Sequence, residues 1–507
     1  MARLVLGDRV VEPADLADRG RRAAAALASL GVGAGDAVAF MLRNDVPILE
    51  IGQAVQLLGA YALPVNWHFG ADEADFVLRD SGAKVLVVHA DLARKLAPMP
   101  FGTRMIVAPT PPEIAAAYGL AAEDSAAPAG ALSWYDLLAR AAPFDGPPGR
   151  PTNTMLYTSG TTGRPKGVRR LPMTPEQVPL VQKAMAHVFG TRPGQTMLAV
   201  APLYHAAPNA TAIAASRVDG TIVLMPRFDA EALLAAIERH RITHALLVPI
   251  MFVRLLRLAE ATRRRYDLSS LEWVVHGAAP CPPDVKRAMI DWWGPVIHEF
   301  YGASELGAIA ACTSEEWLAR PGTVGRLVPG AIAAIYGDDG RRLGAGEVGE
   351  IYARQTCYPD FSYHGQDDRR AEVERDGMVT CGDVGYFDAD GYLFLCDRKR
   401  DMVISGGVNI YPVEIEAALA ALPGVADSAV FGIPDAEFGE ALCACIQRQP
   451  GADLGEDAVR QFLRTRLSGF KVPKRIEFHA SLPREDSGKI FKRKLRDSHW
   501  AETGRRI

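Results

Sequence analysis

The sequence predicts an α/β protein with a large N-terminal domain and a small C-terminal one. The large domain is expected to hold stacked, mostly parallel sheets with flanking helices, plus a small antiparallel, barrel-like unit. The small domain reads as α+β. Three observations carry this. At 507 residues the chain exceeds what one hydrophobic core usually organises. Apolar strand-length runs alternate with helix-length segments through the first hundred residues and again from 196, the pattern of parallel strands joined by crossover helices. From 321 to 397 the pattern shifts to short strands with glycine turns, as in Gly346-Glu347-Val348-Gly349-Glu350-Ile351.

Taken in order, an Ala/Leu helix is expected near 15–30, ending at Gly31, then an apolar strand at 37–42. Gly31-Val32-Gly33-Ala34-Gly35 looks like half a dinucleotide fingerprint. It follows a helix and precedes a strand, the reverse of that fingerprint's context, so it reads as a turn. A helix near 46–59, a strand at 62–65, a helix near 71–81 and a strand at 84–88 continue the alternation. Residues 98–152, rich in Ala and Pro, read as a loop-rich insert. Strands follow at 197–200, 221–225, 245–248 and 273–276, with a helix at 228–240. The charge run Asp397-Arg398-Lys399-Arg400-Asp401 marks a boundary: domains at 1–397 and 402–507, with a hinge at 398–401. Beyond it come a helix near 412–421 with Pro412 at its start, a strand near 427–432, a helix near 456–467 and a strand at 475–479.

Composition excludes several classes. With 49% hydrophobic and 23% charged residues the chain is an ordinary globular one. A net charge of −4 without a basic stripe gives no footprint for nucleic acid. The apolar runs fall short of a membrane span, and Asp8, Glu12 and Asp15 occupy the start where a signal peptide needs basic-then-apolar residues. Seven cysteines, an odd number without paired metal spacing, suggest reduced thiols and a cytoplasmic location. Cys443 and Cys445, in strand-like surroundings, read as buried small residues rather than a redox pair.

The most informative segment is Tyr157-Thr158-Ser159-Gly160-Thr161-Thr162-Gly163-Arg164-Pro165-Lys166-Gly167-Val168. Glycines let the backbone approach a ligand, successive N–H groups form an anion-binding concavity, and hydroxyls and a lysine add donors and charge. Gly167 follows Lys166, so this is not the nucleotide P-loop, which needs Ser or Thr there. Other segments suit the same chemistry: Pro202-Leu203-Tyr204-His205 after a strand, Tyr301-Gly302-Ala303-Ser304-Glu305, Gly382-Asp383, and Gly488-Lys489 near the C-terminus.

In this order and spacing, these segments resemble the adenylate-forming superfamily, and the wording from Asp397-Arg398 to Tyr411-Pro412 resembles its acyl- and aryl-CoA ligase branch. The resemblance covers nearly the whole chain. It implies that a carboxylic acid is activated with MgATP as acyl-AMP, after which the mobile C-terminal domain rotates and CoA takes the acyl group. It assigns Thr158, Ser159, Gly160, Thr161, Thr162, Gly163 and Lys166 to the phosphates. Gly277, Ala278 and Ala279 would line the adenine, with Tyr301 against its face and Gly302 in the same ATP/AMP-binding set. Ser304 would donate to the α-phosphate, and Glu305 would bind Mg²⁺. Asp383 would accept from the ribose hydroxyls, with Arg398 nearby. Lys489 would reach the carboxylate in the first step, and His205 would lie near the CoA channel. Gly406 and Gly407 would pass the pantetheine arm, and Arg400 stands at the hinge position, usually Asp or Lys. Because arginine is not equivalent to lysine, one half-reaction is expected to be the more affected.

The reaction needs no protein nucleophile. The acid is already ionised near neutral pH, and positive groups offset the repulsion of two anions. The acyl pocket implied by the family would be lined by Ala206, Ala207, Asn209, Ala210, Ile250, Gly277, Ala303, Leu306 and Gly307, without a cation, which suits a medium- or long-chain or bulky polycyclic acid. A carrier protein as acceptor and a separate adenylating partner remain alternatives. A non-catalytic nucleotide-binding module is disfavoured because Lys489, Glu305 and Asp383 are all present.

Overall fold

The N-terminal alternation folds into a four-stranded parallel sheet, ordered Tyr61–Pro64, Ala37–Met41, Val85–His89, Arg104–Ala108. The last strand lies inside the segment expected to be loop-rich; its Ile106 is fully enclosed, and the helix Trp134–Arg140 follows in the same segment. The computed structural model describes residues 1–96, 102–158, 165–366, 368–398, 401–405, 408–435, 437–484 and 490–500, with backbone alone at 158, 398 and 409.

Helix Val46–Leu58 is apolar nearly all round and mostly buried. It lies between two sheets: Ile48, Ile51 and Val55 share a core with Val38 and Phe40 of the small sheet and with Met197, Ile222 and Leu224 of a larger one. This is the stacking the sequence predicts. The larger sheet runs through Gln195–Ala199, His244–Leu247, Trp273–His276 and Ile297–Ala303 in parallel. It then continues without a break. The hairpin Ile297–Ala303/Gly307–Cys312 turns it antiparallel, and Thr323–Leu327, Leu393–Arg398, Met378–Phe387, Gly349–Gln355 and Ala331–Tyr336 extend it. A three-stranded antiparallel sheet, Leu156–Thr158, Lys166–Arg170 and Phe361–Tyr363, lies beside it.

The C-terminal part has its own five-stranded sheet, built on the long pair Val425–Asp435/Gly439–Arg448, with Arg475–His479 parallel to the latter. Its core gathers Val403, Ile415, Val430, Leu442 and Ile446. Pro412 opens the helix Pro412–Ala420, where its missing N–H costs nothing. Helix Ala230–His240 starts where Asp229 Oδ1 accepts from the Ala232 amide at 2.9 Å. All seven cysteines are free thiols. Among the described residues no helix is long and apolar enough to cross a membrane.

Candidate active site

A single cavity of about 2770 Å³ brings the separated sequence segments together. Lys166 enters it from the second strand of the three-stranded sheet, whose first strand ends at Thr158. Ser159, Gly160, Thr161, Thr162 and Gly163 lie between these strands, outside the described residues, as do Arg400, Gly406, Gly407 and Lys489; the side chains of Thr158 and Arg398 are also undescribed. The Lys166 ammonium lies 5.1 Å from the Tyr363 ring centre. Burial holds its pKa below the ordinary lysine value, helped by Arg369 and opposed by Glu305.

The hairpin after Ile297–Ala303 carries Ser304 and Glu305 into the same space. A register shift between Tyr301 and Gly302 aims this turn. Gly302 is required: a Cβ there would stand 2.2 Å from the Gly307 carbonyl oxygen. Tyr363 donates its hydroxyl to Glu305 Oε1 at 3.3 Å, and the Cys381 thiol lies 3.9 Å from Oε2. Both contacts are long, so the carboxylate keeps acceptor capacity on both oxygens. Together with neighbouring phosphate oxygens, this hard oxygen donor fits Mg²⁺.

Gly277, Ala278 and Ala279 line the cavity at the end of strand Trp273–His276. Ala278 has φ +67, a left-handed conformation that costs a residue with a side chain. Tyr301 Oη donates to Asp383 Oδ2 at 2.7 Å, so the aromatic ring and carboxylate assigned to the nucleoside are tied together. Asp383 faces Arg398 across the ladder between strands Met378–Phe387 and Leu393–Arg398.

His205 precedes helix Ala206–Ser216 and lines the cavity, its ring 4.2 Å from that of Tyr204. Tyr204 meets Trp67 edge-on, and the Arg43 guanidinium lies 5.1 Å from the Trp67 ring. Arg43 is itself fixed by a bidentate, buried pair with Asp91 at 2.9 and 2.8 Å. Asn44 accepts from the Leu203 amide at 2.9 Å and directs its amide group at the carbonyls of Ala199 and Ala201. This support of the His205 loop was not legible in the sequence.

Two of the expected acyl-pocket residues lie elsewhere. Leu306 is 2% exposed and packs into the core with Val168 and Ile309. Asn209 is on the inner side of its helix, accepting from Thr154 Oγ1 at 2.9 Å and donating to the Leu203 carbonyl at 3.0 Å. Ala207, Ile250, Ala303 and Gly307 do line the cavity. The missing wall comes from helix Gln177–Phe189, through Val181, Met185 and Phe189. Lys183 and Arg217 also face the cavity, two cations that the sequence reading did not include.

Arg170 was also missed. Partly buried beneath the hairpin turn, it donates from Nη2 to the carbonyls of Ser304 at 3.2 Å and Glu305 at 2.6 Å, and from Nη1 to Pro359 at 2.9 Å. It therefore joins the strand carrying Lys166 to the turn carrying Glu305. Its signal, a second arginine just after the glycine-rich segment, is indistinguishable in sequence from a solvated charge.

The C-terminal part closes one side. Arg484, Ile490 and Phe491, which flank the segment containing Lys489, line the cavity; the described residues of the hairpin Val403–Ser405/Val408–Ile410 do not. Arg257 donates to the Ala426 carbonyl, and Arg484 pairs with Asp427.

Known proteins are similar to this chain in sequence and fold. Models of the AMP-binding enzyme and of the AMP-binding enzyme C-terminal domain match residues 8–358 and 414–489. The chain belongs to the AMP-binding enzyme family, in its acyl-CoA synthetase branch. It is 34% identical to a feruloyl-CoA synthase of Amycolatopsis sp, covering 97% of this chain and 94% of that one. It is 32% identical to the fatty acid–[acyl-carrier-protein] ligase ScoC of Streptomyces coeruleorubidus, covering 96% and 91%. The ATP-bound structure of MatB from Rhodopseudomonas palustris superposes with a TM-score of 0.83 at 27% identity, over 99% and 97% of the chains.

Proposed function

We propose that the protein is an AMP-forming acyl-CoA ligase for an apolar carboxylic acid, medium- or long-chain or bulky polycyclic. The observation that supports this is the convergence, on one cavity, of Lys166, Glu305, the Gly277–Ala279 loop, Asp383 and a mostly apolar wall. In this reading the substrate carboxylate attacks the α-phosphate of ATP, forming acyl-AMP and expelling pyrophosphate. Lys166 and the hydroxyls of the segment before it hold the leaving phosphates, Ser304 donates to the α-phosphate, and Lys489 bridges the reacting groups. Glu305 holds Mg²⁺, which when bound supplies charge neutralisation for the phosphates. Tyr301 and Asp383 fix the nucleoside. CoA thiol then attacks the acyl carbonyl and AMP leaves, with 402–507 rotating about 398–401 between the steps. A cytoplasmic site of action belongs to the same proposal.

The deciding experiment measures pyrophosphate release with ATP across a panel of apolar acids, and separately acyl-CoA formation from synthetic acyl-AMP and CoA. Both activities support the complete ligase and identify the acid. Failure of both on every acid would sink the reading.

A second reading rests on the likeness to a carrier-protein ligase and on Arg400. It predicts adenylation with transfer to a carrier in place of CoA, or thioesterification of a supplied acyl-AMP alone. Equal half-reaction rates before and after Arg400→Lys would remove the hinge argument.

A further inference from the structure

On the small domain, away from the cavity wall, metal-binding side chains from three elements converge. Cys443 and Cys445 lie two apart on strand Gly439–Arg448, and alternation puts both side chains on one face. The neighbouring parallel strand Arg475–His479 pairs Cys445 with Glu477 and Gln447 with His479, placing Glu477 and His479 on that same face. Helix Lys492–Trp500 brings His499 to it. Both thiols are fully buried.

The distances are those of a ligand cage. Cys445 Sγ lies 3.8 Å from Glu477 Oε2, His479 Nε2 lies 3.5 Å from the same oxygen, and His499 Nε2 lies 3.6 Å from Glu477 Oε1. The ligand atoms of Cys443, Glu477 and His499 all lie within 4.8 Å of one another, as do those of Cys445, Glu477 and His479. Tetrahedral ligands held 2.0–2.3 Å from one zinc ion stand roughly 3.3–3.8 Å apart, so small side-chain adjustments complete a site. His479 Nε2 is enclosed and has no hydrogen-bond partner among the described residues. Arg475 donates to Glu477 Oε1 at 2.6 Å and orients the carboxylate.

We propose that Cys443, Cys445, Glu477 and His499 form a four-coordinate zinc site, with His479 beside Glu477, that fastens the C-terminal helix to the sheet of the small domain. Thiolate and imidazole ligands are soft and borderline donors that favour Zn²⁺ over Mg²⁺ or Ca²⁺. Each coordinating thiol gives up its proton to solvent as its sulfur–zinc bond forms, so binding tightens as pH rises. No redox step is involved. The sequence alone gave no paired spacing because the histidines come from a different strand and from a helix.

The test uses the full-length protein without a histidine tag. It is purified with zinc, dialysed to remove free metal, and analysed by inductively coupled plasma mass spectrometry. About one zinc per chain is expected, lost in the Cys443→Ser/Cys445→Ser double variant. Cobalt replacement is expected to give thiolate-to-cobalt charge-transfer absorption, and chelation to lower the melting temperature of the wild type but not of the double variant. His499→Gln, at a partly exposed position, guards against misfolding of the cysteine variant and is expected to weaken zinc binding at least tenfold. No bound zinc and no cobalt–thiolate band, or zinc retained undiminished in both variants, would overturn the site. A purely hydrogen-bonded polar cluster is then the correct description. None of these readings depends on the acid or the acceptor.

Discussion

Tyr301 donates its phenolic proton to Asp383 Oδ2 at 2.7 Å, joining the ring expected against the adenine to the carboxylate expected on the ribose. A hydrogen bond to a charged acceptor contributes about 1.5–3 kcal/mol when its partner is left unpaired. Tyr301→Phe keeps the ring and removes the tether. It is expected to raise KM for ATP about tenfold with kcat little changed. The penalty should shrink with 2′-deoxy-ATP, which Asp383 grips less. An equal penalty for both nucleotides would separate the tether from ribose recognition.

Arg170 holds the Ser304 and Glu305 carbonyls from below. Arg170→Met leaves these partly buried acceptors without this donor and frees the turn. Pyrophosphate release is expected to fall about a hundredfold, with a raised Mg²⁺ requirement. Thioester formation from supplied acyl-AMP should fall much less, because no pyrophosphate needs holding there. Comparing the two half-reactions checks a positioning role; equal losses would indicate general misfolding.

The left-handed Ala278 makes a prediction of opposite sign. Glycine accepts φ +67 without steric cost, so Ala278→Gly should stabilise the protein by about 1 kcal/mol in urea unfolding. Ala278→Val, β-branched at the same φ, should destabilise it and weaken ATP binding by isothermal titration calorimetry.

Glu50 supplies a pH dependence. It is fully buried between the sheets, accepts from Trp134 Nε1 at 2.7 Å, and lies 3.5 Å from Arg19. Burial pushes its pKa from 4.5 up to about 7, against the pull of Trp134 and Arg19, while Asp45 adds to the rise. The folded state thus holds the proton where the unfolded chain releases it, and stability is lost as pH rises from about 4.5 to about 7. The full shift corresponds to about 3 kcal/mol. Glu50→Gln removes this loss, so its stability relative to wild type should be greater at pH 8 than at pH 5. A constant difference in urea unfolding at the two pH values would contradict it.

What could be read from sequence was what lies contiguous in it. Lys166, Ser304, Glu305 and Asp383, which come from short contiguous segments, are brought to one cavity, and the strand-helix alternation predicts stacked parallel sheets. Arg170, Asn44 and the Met185–Phe189 wall act on partners remote in the chain, so their types and spacing carried no signal. Asn209 misled because its amide is taken up by Thr154 and the Leu203 carbonyl, partners that the local sequence does not reveal. Leu306 misled because neighbours in a tight hairpin turn point in opposite directions. The strand at Arg104–Ala108 was hidden by the Ala- and Pro-rich composition around it.

The ladder between Asp383 and Arg398 has a mechanical implication. The strand Leu393–Arg398 is paired with the strand bearing Asp383, the carboxylate proposed for the ribose. On a rigid body turning about a pivot, displacement grows with distance from the axis. In the proposed cycle, a swing centred just beyond Arg398 would leave an AMP moiety held at Asp383 almost stationary while Ile490 and Phe491 travelled far. In that reading the adenylate would stay docked at the fulcrum while the groups around its acyl carbonyl were exchanged.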